Sequence, residues 1–359
     1  MNTPAWGVNV DAALVDAVDL HVHPSPSPFP RRIGILEAAT EAASAGFRTI
    51  AVKSHHHSMV TDVLAVEQAV GELPLTVLSG VALNSQVGGL NPSAVELTLT
   101  LGGRILWFPT ISAVNHLALA ATLATFPTST HKLSEPRPVP VLDGDGRLLN
   151  TAVEILVLIR DADAVLACGH LSADEIDVLI AGARDIGVRR ILVNHPNFVV
   201  GATVDRCAEW ARQGVYIEHS LSHYDAHSMF RKWDLDVLLE YIRASGVSHT
   251  VISSDLGQVN NPTPTEAYRA IVPRLASAGL DLNDIRQLPP HSSTNRFQHK
   301  WRLSGDLALL DTIRGRTTSS HAPRRAVGEA TNPELVGGDH ERGCRLRVHR
   351  HVQRVAVNR

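Results

Sequence analysis

Asp19-Leu20-His21-Val22-His23-Pro24 is the stretch on which the reading of this chain turns. Apolar residues at 18, 20 and 22 mark a short strand, and side chains on a strand alternate between faces. His21 and His23 therefore share one face, while Leu20 and Val22 share the other. Two imidazoles about 6 to 7 Å apart along a strand can converge on one divalent metal, which takes neutral imidazole together with further histidine or carboxylate ligands. Alone, a His-x-His pair reads equally well as two polar residues at a strand end. Its weight depends on companions elsewhere in the chain.

Working outward, short runs rich in Val, Ile and Leu stop repeatedly at a polar or histidine-bearing turn and give way to helical composition. The strand runs are 18–22, 49–53, 75–81, 104–108, 164–168, 191–194, 215–218 and 250–253. The helical segments are 33–46, 60–70, 93–101, 113–125, 173–186, 204–213, 235–244 and 265–278. Strands alternating with helices favour a parallel sheet with right-handed crossovers. Eight such units predict an α/β fold, a (β/α)8 TIM-like barrel. An open doubly wound sheet is the rival, but no Gly-rich phosphate turn follows the first strand. A short hairpin insertion is expected at 139–148, turning at Asp143-Gly144. The neighbouring Asp143-Gly144-Asp145-Gly146 lacks the remaining ligands of a calcium loop.

The strand ends carry the chemistry. Lys53-Ser54-His55-His56-His57 follows the second run, Cys168-Gly169-His170 the fifth, Asn194-His195-Pro196 the sixth, Glu218-His219-Ser220 the seventh and Ser254-Asp255-Leu256-Gly257 the eighth. In a barrel these positions gather around one mouth, where such enzymes place their active sites. Of the three consecutive histidines, at most two can face that mouth. Glu218 and His219 must face opposite ways on a regular strand, and His219 is favoured for the substrate side. Cys168, two residues before His170, is expected on the same face as that histidine, as a soft ligand or a packed thiol.

In this order and spacing the residues resemble the amidohydrolase superfamily of metal-dependent barrel enzymes, over roughly residues 15 to 305. The resemblance implies that His21, His23, His170, His195 and Asp255 surround a divalent metal. It also likens 293–297 to the asparagine-bearing helix that often closes such barrels. One departure concerns the bridging lysine or glutamate of the two-metal members, which sits on the fourth strand. Here that strand reads Ile105-Leu106-Trp107-Phe108-Pro109-Thr110. One ion is therefore favoured over two, unless Lys53, His55 or His57 holds a second. Residues 46–55 are also similar to the second motif of the PHP family of phosphoesterases, but Ser54 stands where that motif has Asp, and no Asp-x-His appears at 255–257.

The resemblance implies a metal-dependent hydrolase that uses metal-activated water on a small-molecule amide, lactone or ester. Zn2+ is the expected ion, with Mn2+ or Fe2+ fitting the same ligands. Asp255 would act as ligand and base, His195 would bind metal or polarise the substrate oxygen, and His219 or Lys53, one of four lysines, would orient the substrate. A nonoxidative decarboxylase or hydratase of the same superfamily, or a PHP-type phosphoesterase, is the alternative.

A chain with 44% hydrophobic residues and mean hydropathy +0.01 can bury a full-sized core. Its net charge of −3 gives no long-range attraction to nucleic acid or an anionic membrane. A small-molecule substrate is the expected partner, with a homo-oligomer left open. Three cysteines form no disulfide framework, no run approaches a membrane span, and the first residues lack the blocks of a signal peptide. Together these favour the cytoplasm. Residues 1–312 read as the barrel domain. The arginine-rich stretch 313–359 has short apolar fragments without period and is expected to be a disordered basic tail; the His349/His351 pair within it has no strand context.

Overall fold

The computed structural model describes residues 9–119, 129 and 131–280. The chain divides into two units, Met1–Ala308 and Leu309–Arg359, and every described residue belongs to the first. The arginine-rich tail, the segment at 293–297 and most of the region just beyond residue 119 lie outside the described residues.

Among the described residues nine parallel strands follow one another: β1 (Val18–Val22), β2 (Thr49–Val52), β3 (Thr76–Leu78), β4 (Gly80–Ala82), β5 (Ile105–Trp107), β6 (Val165–Ala167), β7 (Arg190–Asn194), β8 (Tyr216–Ser220) and β9 (Thr250–Ser253). β3 and β4 are two halves of one stave divided at Ser79, the first pairing with β2 and the second with β5. Spatial order equals chain order. β9 then meets β1. Val22 bridges Leu256, the His23 N–H donates to the Leu256 carbonyl at 2.7 Å, and the Asp255 N–H donates to the His21 carbonyl at 2.8 Å. The predicted eight-stave α/β barrel is the observed architecture.

Strand alternation produces two apolar layers. Leu20, Ala51, Leu78, Trp107, Val165 and Leu192 belong to an inner cluster to which only strand residues contribute. Leu106, Leu166, Val193 and Ile217 face outward onto helices. The Ala173–Ile186 helix shows how these elements are specified. Ser172 Oγ accepts from the Glu175 N–H while the Glu175 carboxylate accepts from the Ser172 N–H, and Gly187 at φ +95° ends the helix. Its Ile176, Leu179, Ile180 and Ala183 form the buried stripe. Truncating Ile176 to Ala would cost about 2 to 5 kcal/mol.

Two details differ from expectation. The 60–70 helix is broken into Val60–Ala65 and Glu67–Val70. The ring position of the fourth unit belongs to Asn150–Asp161, which packs between Pro92–Thr100 and Ala173–Ile186. Its buried Ala152, Ile155, Leu156 and Ile159 have the helical spacing. The stretch expected to fill that position begins with the short Val114–Leu119 helix, which instead brings His116 to the mouth. The hairpin turn forms as read: Leu142 and Leu148 bridge antiparallel, and Asp143 Oδ1 accepts from the Asp145 and Arg147 N–H groups at 2.9 Å each.

Candidate metal centre

A regular strand would not deliver all the expected residues to one place. In β1 the register slips between Asp19 and Val22, where Asp19 Oδ1 accepts from the His21 N–H at 3.0 Å. Leu20 packs in the inner cluster and Val22 in the outer one. They do not share a face, contrary to the simple alternation, yet His21 and His23 stay together with ring centroids 5.0 Å apart. On β6, Ala167 is inner and Cys168 outer. Gly169, at φ +66°, then turns His170 inward, so Cys168 and His170 are separated rather than on one face. A Cβ on Gly169 would lie 2.3 Å from the Phe108 carbonyl oxygen. His195 at φ +28° and Asp255 at φ +55° are left-handed too. Such conformations are costly for residues with a Cβ and persist where the surroundings over-determine them.

His21, His23 and Asp255 place one potential ligand atom each within 4.8 Å of one another. Asp255 Oδ1 is 3.3 Å from His21 Nε2 and 3.1 Å from His23 Nε2. The remaining ring nitrogens fix the tautomers. His23 Nδ1 is 3.0 Å from the Lys53 carbonyl, which can only accept, so Nδ1 carries the proton and Nε2 the lone pair. Burial pushes the His23 pKa down to about 3, against the pull of Asp255, so the ring is neutral. His21 Nδ1 lies 3.4 Å from the Glu218 carboxylate, which can only accept, so Nδ1 carries a proton. Glu218 is buried, which disfavours its charge. His21, together with Asn194 and Ser253, outweighs that cost and holds its pKa at about 2. Asp255 is held well below the carboxylate range against its burial, chiefly by His21, and Ser220 Oγ donates to its Oδ2 at 2.9 Å. The His23 lone pair and an anionic oxygen thus face each other beside His21 in a buried site. A cation relieves that arrangement. Nitrogen and carboxylate donors whose imidazoles are oriented by outer-shell acceptors fit a divalent transition metal.

Lys53 Nζ is 3.0 Å from His21 Nε2 and 5.4 Å from the Trp107 ring centroid. Burial lowers its pKa to about 8. The facing wall holds His55, His170 and His195: the ring centroids of His170 lie 6.0 Å from His55 and 5.0 Å from His195, and those of His195 lie 6.0 Å from His21. Burial keeps His55 and His170 well below the usual histidine range and His195 at about 3. His170 Nδ1 meets His116 Nδ1 at 2.8 Å. Of the three consecutive histidines, His55 lines the pocket, His56 packs edge-on against Phe29, and His57 meets Asp62.

The expectation for His219 needs correction. Its ring packs against Tyr241, at 5.4 Å between centroids, in the layer outside the barrel, while Glu218 takes the inward position. In a parallel barrel both strand faces are buried, so the apolar neighbours Val215 and Ile217 could not signal which parity points in. Arg31, His116 and His223 also went unrecognised, being single polar residues without a repeating pattern, and Asn194 and Ser220 were named only as neighbours of the strand-end histidines. The pocket encloses about 580 Å³ of space, including its open mouth.

Three solved structures resemble this fold. Dipeptidase AC, a metallopeptidase, superposes with TM-score 0.52 at 14% identity over 80% of this chain and 99% of its own. An amidohydrolase from Pseudomonas aeruginosa gives 0.51 at 9% identity over 79% and 96%. The probable dipeptidase PvdM from the same organism gives 0.50 at 12% over 81% and 96%. At these identities the likeness is one of fold, and it bears out the expected barrel. No curated protein matches the sequence. Residues 16–218 match DUF6282, described as a family of unknown function, and since the match takes in more than half of the chain, the protein belongs to that family.

Proposed function

We propose that this chain is a metal-dependent hydrolase in which His21, His23 and Asp255 hold one divalent cation, with His170 completing the set from the facing wall. Zinc suits these donors, as would manganese or iron(II). The observation that carries this reading is the convergence of His21, His23 and Asp255, with the lone pair of His23 Nε2 turned to an Asp255 oxygen 3.1 Å away. Lys53 donates toward His21 alone, which leaves the contact between His23 and Asp255 uncompensated.

A cation bound there supplies Lewis acidity and lowers the pKa of a ligated water to about 7 in favourable sites. Asp255, ionised at neutral pH, accepts the proton of the attacking water and passes it to the leaving group, while Ser220 holds its second oxygen. Neutral His195 donates to the substrate carbonyl oxygen. Removing one such stabiliser lowers kcat by about 100- to 1000-fold. Lys53 orients the substrate from the floor. The substrate we propose is a small amide, lactone or ester. Among the described residues no helix is long and apolar enough to cross a membrane, and the buried free thiols of Cys168 and Cys207 suit the reducing cytoplasm.

Elemental analysis of protein purified without chelator is expected to find close to one equivalent of divalent metal, most of it lost in His21→Ala or Asp255→Ala. Failure to take up zinc, manganese or iron would overturn the site. A panel of lactones, amides and esters in labelled water then separates chemistries: hydrolysis incorporates the label, whereas decarboxylation releases carbon dioxide without it.

A further inference from the structure

The loop after β1 carries Arg31 into the same pocket, and the loop after β9 locks it there. Arg31 bridges antiparallel to Gln258, the Arg32 N–H donates to the Gly257 carbonyl at 2.8 Å, and the Val259 N–H donates to the Pro30 carbonyl at 3.4 Å. Gly257 is required for this clamp, because a Cβ there would lie 2.1 Å from the His23 carbonyl oxygen. The Arg31 backbone is thereby held beside the loop that carries Asp255, and both side chains line the pocket. Arg31 Nε and Nη1 are out of water and have no acceptor in the protein. Idle buried N–H groups of a cation are unfavourable unless a ligand accepts them, and Asp255 Oδ2 is already engaged by Ser220.

The surroundings say what else that ligand carries. Three of the seven phenylalanines in the chain, Phe29, Phe198 and Phe230, line this pocket. Arg31 Cζ is 5.8 Å from the Phe29 ring centroid. At the exposed lip, Lys232 Nζ stands 4.9 Å from the Phe198 centroid and has no carboxylate partner among the described residues. We propose that the substrate is an organic carboxylate with an apolar, planar body: Arg31 receives the carboxylate, Lys232 adds charge at the lip, and the phenylalanine rings enclose the body. A planar carboxylate offers two oxygens to adjacent guanidinium N–H groups. This subsite names the substrate class for the proposed hydrolase and rests on that reading, but it makes a prediction that needs no turnover.

The probes are phenylacetate, its neutral counterpart phenylacetamide, and phenylphosphonate, titrated calorimetrically into zinc-loaded and into chelator-treated protein. Phenylacetate is expected to bind both forms better than phenylacetamide. Arg31→Gln should weaken phenylacetate by about 10- to 100-fold, the usual range for a hydrogen bond to a charged group, and leave phenylacetamide unchanged. Arg31→Lys should restore part of the loss. Lys232→Met, at an exposed position that does not endanger folding, should weaken phenylacetate by a few-fold. Equal binding of acid and amide, or no effect of either substitution, overturns the subsite. So does an Arg31→Gln variant that loses thermal stability but keeps phenylacetate, which would show the guanidinium to be engaged within the protein, on Gln258. Tighter, Arg31-dependent binding of phenylphosphonate overturns the carboxylate assignment. Binding abolished by chelation and indifferent to Arg31 shows that the ion alone holds the acid. Absence of metal uptake defeats the hydrolase reading while leaving the metal-free titration to judge the subsite.

Discussion

Replacing Glu218 by Gln removes a buried negative charge while keeping the side chain's shape, and so tests whether the residue behind His21 tunes a metal ligand. Glu218 is fully buried and its pKa is held at about 2, against an ordinary value of 4.5. At 1.36 kcal/mol per pKa unit, that difference corresponds to a bias of about 3 kcal/mol toward the anion. Glutamine loses this bias. It also gives the amide of Asn194, now a donor to Glu218, a second amide N–H to face. Only part of the effect passes through the His21 ring to an ion on Nε2, and loss of an outer-shell partner typically weakens metal binding by about 10- to 100-fold. We therefore expect zinc affinity to fall by that factor in Glu218→Gln and to stay unchanged in His219→Gln, whose ring faces Tyr241. Competition against a chromophoric chelator at neutral pH measures both, with circular dichroism confirming that each variant is folded. Wild-type affinity in Glu218→Gln, or an equal loss in His219→Gln, would refute the assigned strand parity and the proposed role together.

Asp19 has the opposite linkage sign, since burial raises its pKa from 3.8 to about 7 despite hydrogen bonds from Ser254 and His21. Its contribution is fully present below about pH 4 and is lost as pH rises through 7, so from about pH 5 to pH 8 the stability of Asp19→Asn should gain about 2 to 3 kcal/mol on the wild type; urea unfolding at the two pH values giving a constant difference would contradict this. Gly169→Ala places a Cβ against the Phe108 carbonyl at a left-handed φ, and should cost more than about 1 kcal/mol while weakening metal binding through His170; an unchanged Tm would show that the turn yields freely. We propose the barrel to be complete by residue 312, so truncation after Arg314 should retain folding and metal content, and loss of either would assign the arginine-rich segment a structural part.

The barrel was legible because eight apolar runs alternate with helical segments, and a parallel sheet needs that order. The site was legible where a histidine or aspartate falls at the end of an apolar run, as with His21, His23, His170, His195 and Asp255. What remained hidden depended on backbone geometry. The slip in β1, the turn at Gly169 and the left-handed His195 each reverse an alternation that counting residues would extend. The helix at Asn150–Asp161 was legible from its Ala152, Ile155, Leu156 and Ile159 spacing, but the apolar run beginning at Ala113 competed for the same place in the topology. Arg31 had no sequence signal, because its importance comes from a loop-to-loop clamp between segments more than two hundred residues apart.

The seam between β9 and β1 joins these observations. The backbone bonds between Asp255 and His21 and between His23 and Leu256 bring the last strand onto the first, and His21, His23 and Asp255 supply the three converging side chains. Beyond them, the bonds between Arg32 and Gly257 and between Val259 and Pro30 continue the pairing and fix Arg31. Ligand geometry and anion anchor are therefore set by the contacts that bring the barrel ends together, and a mobile loop would lose that precision. Both left-handed Asp255 and the tight Gly257 contact follow from making one short stretch complete a strand pairing, present a carboxylate and support a neighbouring loop. Elsewhere around the mouth His170 and His195 arrive on separate turns with their own local geometry, so substitutions on that wall can change substrate contacts while leaving the seam, and the trio it holds, intact.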